Sequence, residues 1–152
     1  MRTLTQLDAD TITLLAPITR DRYDYIGQTQ TKTPVNPTGI DLHVGHVGAV
    51  AYNGDIAHHY MALWTQAGTD RHDRLAGGRS VTTYGFQLTV ASGTRAGVLW
   101  ALDLIRDRMT RARLHESTGI LTPYLDQIQV LVDEDASPPR WYVPLRYTTS
   151  VH

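Results

Sequence analysis

A chain of 152 residues is about one domain's worth, enough to bury roughly 68–70% of its unfolded surface around a single core. The 14 Lys and Arg residues against 15 Asp and Glu leave a formal charge of -1, which excludes the global basic field of a dedicated nucleic-acid binder. With no cysteine, the chain has no disulfides, no thiolate catalysis and no Cys-based zinc or iron–sulfur centre.

The N-terminal text MRTLTQLDADT lacks the apolar core of a signal peptide, and no stretch approaches the roughly 20 apolar residues that span a bilayer. The expectation is a protein soluble where it is made. Leu4, Leu7, Leu14, Leu15 and Ile18 recur at helical spacing, which predicts a helix from Thr3 to Ala16 that Pro17 discourages from continuing. From Tyr23 to Asp41 the text YDYIGQTQTKTPVNPTGID is rich in Thr and amides and has no sustained apolar period. It reads as a long loop or arm over 23–41 within a single domain, 1–152.

LHVGHVGAVAY at 42–52 reads as a strand, or two short ones interrupted by Gly45 and Gly48, followed by an NGD turn. In HHYMALWTQ, Met61 and Leu63 point one way and Tyr60, Ala62 and Trp64 the other, as in an inner strand covered on both sides. VTTYGFQLTVAS is the clearest strand, with Tyr84, Phe86, Leu88 and Val90 alternating with smaller or polar groups. Ser92 or Thr94 then caps a helix whose stripe is Val98, Leu99, Leu102, Ile105 and Met109, with Asp103, Arg106, Asp107 and Arg111 on its wet side.

After an irregular stretch with a possible strand piece, IQVLVDED and RWYVPLRYTTSV read as a hairpin with an acidic, Pro-containing turn. Trp141, Val143, Leu145 and Tyr147 share one face, and Pro144, which cannot donate a ladder hydrogen bond, favours an edge. The order helix, strands, helix, strands predicts an α+β fold, a mainly antiparallel sheet with helices packed on one face.

ASGTRAG, at the strand-to-helix turn, is neither a nucleophile elbow nor a phosphate loop, although Arg95 at the helix start could hold an anion. The histidines offer a metal alternative. His43, His46, His58 and His59, with Asp70, His72 and Asp73, are reasonable ligands, but no H-E-x-x-H occurs and the paired histidines diverge along a strand. Asp133, Glu134 and Asp135 read as a solvated hairpin tip rather than a catalytic pair. Arg95, Arg106, Arg108, Arg111 and Arg113 give the main helix and its exit an excess of positive charge, without the interleaved aromatics of a nucleic-acid groove.

Taken together, Tyr60 to Met109 resembles the tail terminator proteins of long-tailed, siphovirus-type bacteriophages. The likeness lies in Arg74, Leu75 and Gly77 of an R-L-x-G turn, and in the pattern T-R-x-x-x-L-W-A-x-D-x-x-R-D. That pattern is carried by Thr94, Arg95, Leu99, Trp100, Ala101, Asp103, Arg106 and Asp107. The ending PPRWYVPLRYTTSV is similar to the family's closing strand, while QTQTKTPVNPTG and HVGHVG depart from its pattern.

The resemblance implies a structural virion protein and not an enzyme, with no catalytic residues, cofactor or metal. It would form a homohexameric ring at the head-proximal end of the tail tube, end tail polymerisation and dock to the head connector. Its partners would be its own copies, the tail tube protein and the connector protein. DNA would pass through the ring without sequence-specific binding, and no membrane would be involved. The protein would act in the host cytoplasm during assembly and then reside at the head–tail junction. Trp141, Tyr142, Arg74 and Arg95 are the candidate interface residues. Another neck or head–tail completion protein, or a small metal-dependent hydrolase, is the alternative.

Overall fold

Thr3 starts the first helix by a reciprocal cap: its hydroxyl accepts from the Gln6 N–H at 3.2 Å, and Gln6 Oε1 accepts from the Thr3 N–H at 2.9 Å. Helix α1 runs from Leu4 to Leu15 and gives way to a tight 3-10 turn, Ala16–Ile18, at Pro17, as the sequence predicts. This is seen in a computed structural model that describes residues 2–66, 70–73, 79–124, 129–136 and 139–152.

β1 (Thr19–Ile26) and β2 (Thr29–Pro34) follow as an antiparallel hairpin paired from Asp21↔Pro34 to Ile26↔Thr29. The expected loop over 23–41 is therefore corrected. Gly27 at φ 60° makes the two-residue turn, in the left-handed region where glycine carries no Cβ penalty. The outer strand, TQTKTP, is almost wholly exposed, so it never needed the apolar alternation that marks a half-buried strand.

β3 (Ile40–Val44) lies parallel to β1, and a small hairpin of β4 (Tyr52–Asn53) and β5 (Ile56–Ala57) stands apart as its own two-stranded sheet. β6 (Tyr60–Gln66) is parallel to β3 and antiparallel to β8, the inner strand its two apolar faces predict. Tyr60, Met61, Ala62 and Leu63 are all buried. β7 (Asp70–Asp73) pairs with the first part of β8 (Arg79–Ser92).

Helix α2 (Arg95–Met109) is capped by Thr94, whose hydroxyl accepts from the Gly97 N–H at 3.0 Å. Its buried stripe is Val98, Ala101, Leu102, Ile105 and Met109. Leu99, expected in that stripe, is 37% exposed, because the burying arc is centred on Val98 and Leu102.

β9 (Thr122–Pro123), β10 (Leu131–Asp133) and β11 (Arg140–Val151) complete a mostly antiparallel sheet. Its order is β10-β11-β8-β6-β3-β1-β2, with β7 on β8 and β9 on β11. β11 pairs with β8 along its whole length. On its other side it meets β10 at residues 140–142 and β9 at 147–148, so the edge that Pro144 predicts is a local one, between the two short strands. The core joins Leu7 and Leu15 of α1, the α2 stripe, and Phe86, Leu88, Val90, Val143 and Leu145 of the sheet.

Candidate assembly interface

Register, rather than proximity in sequence, gathers the candidate residues. Trp141 lies opposite Ser92, the last residue of β8, and Tyr142 lies opposite Ala91, which on its other side faces Tyr60. Arg95 begins α2 three residues beyond Ser92 and is exposed. Trp141 and Arg95 thus share one end of the sheet.

Successive residues of a strand face opposite ways, and Val143 is fully buried, so Trp141 is on the core side and packs against the core as a half-buried ring. Tyr142, also half-buried, is on the opposite face and is the outer aromatic of the pair. Arg74 lies outside the described residues.

The same end of the sheet carries apolar groups that the sequence patterning left unassigned. Trp100 is 46% exposed, with its ring 5.2 Å from that of His59. Ile56, 50% exposed, lies so close over Gly93 that a Cβ there would come 2.6 Å from its Cγ2. Trp100 follows Leu99 off the buried stripe, and that offset was the available sign that both face outward.

Beneath this surface, His59 Nδ1 lies 2.8 Å from Ser92 Oγ, which also accepts from the Thr94 N–H at 3.3 Å. A Ser–His pair at a helix start is the arrangement of an activated nucleophile. Here Ser92 has 0% exposure, and no carboxylate hydrogen-bonds to His59 among the described residues. Burial, reinforced by His58 and Arg20 and opposed by Asp41, holds the His59 imidazole below its ordinary pKa. The pair joins the end of β8 to the start of α2, and Gly97 packs directly on it: a Cβ at that position would overlap both Ser92 Oγ and the His59 ring.

A second polar cluster covers the sheet around β1 and β3. Arg20 donates Nε and Nη2 to the buried Asp41 at 2.8 and 2.7 Å, and its Nη1 lies 3.3 Å from His58. The hydrogen bonds to Asp41 raise the Arg20 pKa further, against the opposing effect of burial. Next to it, His43 is stacked on Tyr23 at 4.7 Å and meets Tyr60 edge-on at 5.5 Å. A cleft of about 590 Å3 opens here, lined in part by Arg20, Tyr23, Lys32, Tyr52 and His58.

Among the described residues the candidate histidines do not converge. His43 is interior, His46 is exposed beside Tyr25, His58 contacts Arg20 and His59 contacts Ser92. The side chains of Asp70, His72 and Asp73 lie outside the described set. Among the described residues no group of three His, Asp or Glu side chains is arranged to hold a metal ion. Asp133, Glu134 and Asp135 stand exposed at the β10–β11 turn, where Asp133 Oδ1 accepts from the Asp135 N–H at 3.1 Å.

No protein-family model matches the chain, and no curated protein does. No helix among the described residues is long and apolar enough to cross a membrane.

Proposed function

We propose that the chain is a tail terminator of a long-tailed bacteriophage, a structural virion protein that acts as a ring of six copies. The ring would sit on the head-proximal end of the tail tube, stop its growth and offer a docking surface to the head connector, with DNA passing through its lumen. The basis is the resemblance of Tyr60–Met109 and of the closing strand to that family.

The observation that carries the reading is Trp100. It belongs to the T-R-x-x-x-L-W-A text of the resemblance, yet it stands 46% exposed outside the core, with Leu99 and Ile56 also exposed around the start of α2. Large rigid aromatics outside a core are effective anchors for subunit contacts. In this reading α1 and α2 cover one face of the sheet, leaving the other face and the β2 edge for neighbours. Supporting that placement, Arg108 Nε donates to the Leu14 carbonyl at 2.6 Å, and Thr11 and Tyr84 share a hydrogen bond at 3.1 Å.

Electron microscopy of the purified protein should show closed six-fold rings, and phage lacking the gene should make over-long tails that fail to join heads. Normal tail lengths in the deletion would overturn the reading and pass the assignment to a neck or head–tail completion protein.

A further inference from the structure

β2 (Thr29–Pro34) is the last strand on one side of the sheet, and among the described residues only β1 pairs with it. Each internal segment outside the described residues joins strands that stand three or more places from β2 in the sheet order. The turn of the hairpin fixes which backbone groups of β2 are used. Gly27 is at φ 60° and Gln28 is not at positive φ, so Ile26 and Thr29 close a two-residue turn of type II′ as a hydrogen-bonded pair. Alternation then turns the N–H and C=O of Thr29, Thr31 and Thr33 toward β1, and those of Gln30 and Lys32 away from it. None of these outward groups has a hydrogen-bond partner among the described residues.

A free sheet edge is commonly guarded by a charge, a proline or a bulge. Here the one charge is Lys32, and its ammonium lies 3.5 Å from Asp21 Oδ2 on β1, turned back over its own sheet. Gln30 is tied back as well, donating Nε2 to the Ala49 carbonyl at 3.3 Å. Pro34 comes only at the end of the strand. The text TQTKT is also nearly symmetric about Thr31.

We propose that β2 pairs with β2 of a second copy, antiparallel and centred on Thr31, so that the two sheets run on as one. In this register Gln30 of each copy faces Lys32 of the other, and each such pair exchanges both backbone hydrogen bonds. Thr31 meets its own counterpart and Thr29 meets Thr33, neutral threonine pairs that favour a sheet. A shift of two residues one way would set the two lysines against each other, and a shift the other way would draw in Gln28 of the turn. The contact is two-fold and closes on itself as a pair. It goes beyond the ring reading and does not rest on it.

Single cysteines test the register, because the chain has none of its own. Under mild oxidation Thr31→Cys should give a covalent dimer on a denaturing gel, since facing residues of a non-hydrogen-bonded pair are about 4.5 Å apart at Cα, within disulfide reach. Thr29→Cys alone should not, its two copies lying about 14 Å apart along the strands, whereas its equimolar mixture with Thr33→Cys should. Lys32→Pro removes an outward N–H and leaves the bonds to β1 in place, so added to Thr31→Cys it should slow the cross-link by at least about tenfold. Lys32→Ala keeps that N–H and should leave the rate within about twofold.

Circular dichroism establishes that each variant folds, and if Lys32→Pro does not, the cysteine variants decide alone. The pairing is overturned if Thr31→Cys or the mixture stays uncross-linked, or if Thr29→Cys alone cross-links as fast as Thr31→Cys. It is overturned equally if a folded Lys32→Pro has no effect or Lys32→Ala slows the reaction as much. Tail lengths in the gene deletion decide the ring reading separately.

Discussion

His43 has no solvent exposure, and its Nε2 has no hydrogen-bond partner among the described residues, while Nδ1 lies 3.5 Å from Gln30 Nε2. Desolvation pushes its pKa below the ordinary 6.5, opposed by Asp41 and helped by His46. A base depressed in the fold binds fewer protons there than in the unfolded chain. Its contribution to stability is therefore complete above about pH 6.5 and is lost as the pH falls from 6.5 toward the lowered folded value. His59 is depressed too and adds a slope of the same sign. His43→Phe keeps the ring against Tyr23 and Tyr60 but removes the unsatisfied nitrogen. Urea unfolding at a series of pH values should show stability at pH 7 changed by about 1 kcal/mol or less, and a shallower decline toward pH 5. An unchanged decline would mean that His43 does not stay neutral inside the fold.

At the scale of elements, the joint between β8 and α2 depends on Gly97. A methyl there meets the buried Ser92 hydroxyl and the His59 ring at once, so α2 must tilt away from the sheet it covers. Gly97→Ala should cost about 1–3 kcal/mol in chemical denaturation, despite alanine's better helix propensity. A stabilised variant would show that the helix start has room. Both this strand and this helix were legible in sequence, since Tyr84, Phe86, Leu88 and Val90 alternate and Val98, Leu102, Ile105 and Met109 repeat at helical spacing. The β1–β2 hairpin was not. Its strands are paired through the backbone while β2 buries almost nothing, so the apolar period that betrays a strand is missing and only its β-branched threonines hint at one. The candidate surface was half legible: alternation separates Trp141 from Tyr142, but the pairing of Trp141 with Ser92, which brings it to the α2 start, is a long-range fact that no local pattern carries.

For the whole molecule, the proposed ring would draw on residues other than those that stabilise the fold. The core is complete without Trp100 or Tyr142, so changes there should leave the fold standing and disturb what it touches. Trp100→Asp should shift unfolding free energy by about 1 kcal/mol or less, because the side chain is exposed, and on the proposed reading it should abolish six-fold assembly in native mass spectrometry. Intact rings from this variant would move the contact surface away from the start of α2.

The strand order has a consequence for synthesis. As the chain leaves the ribosome, β2, β3, β6 and β8 each find a partner strand already made, so the sheet can widen one strand at a time from its N-terminal side. Helix α1 has no such luck. Its Thr11 waits for Tyr84 and its Leu14 carbonyl for Arg108, so a helix translated before every described strand is among the last elements to be buried. Leu7 and Leu15 stay open to water, and to chaperones, until the chain as far as Arg108 is out.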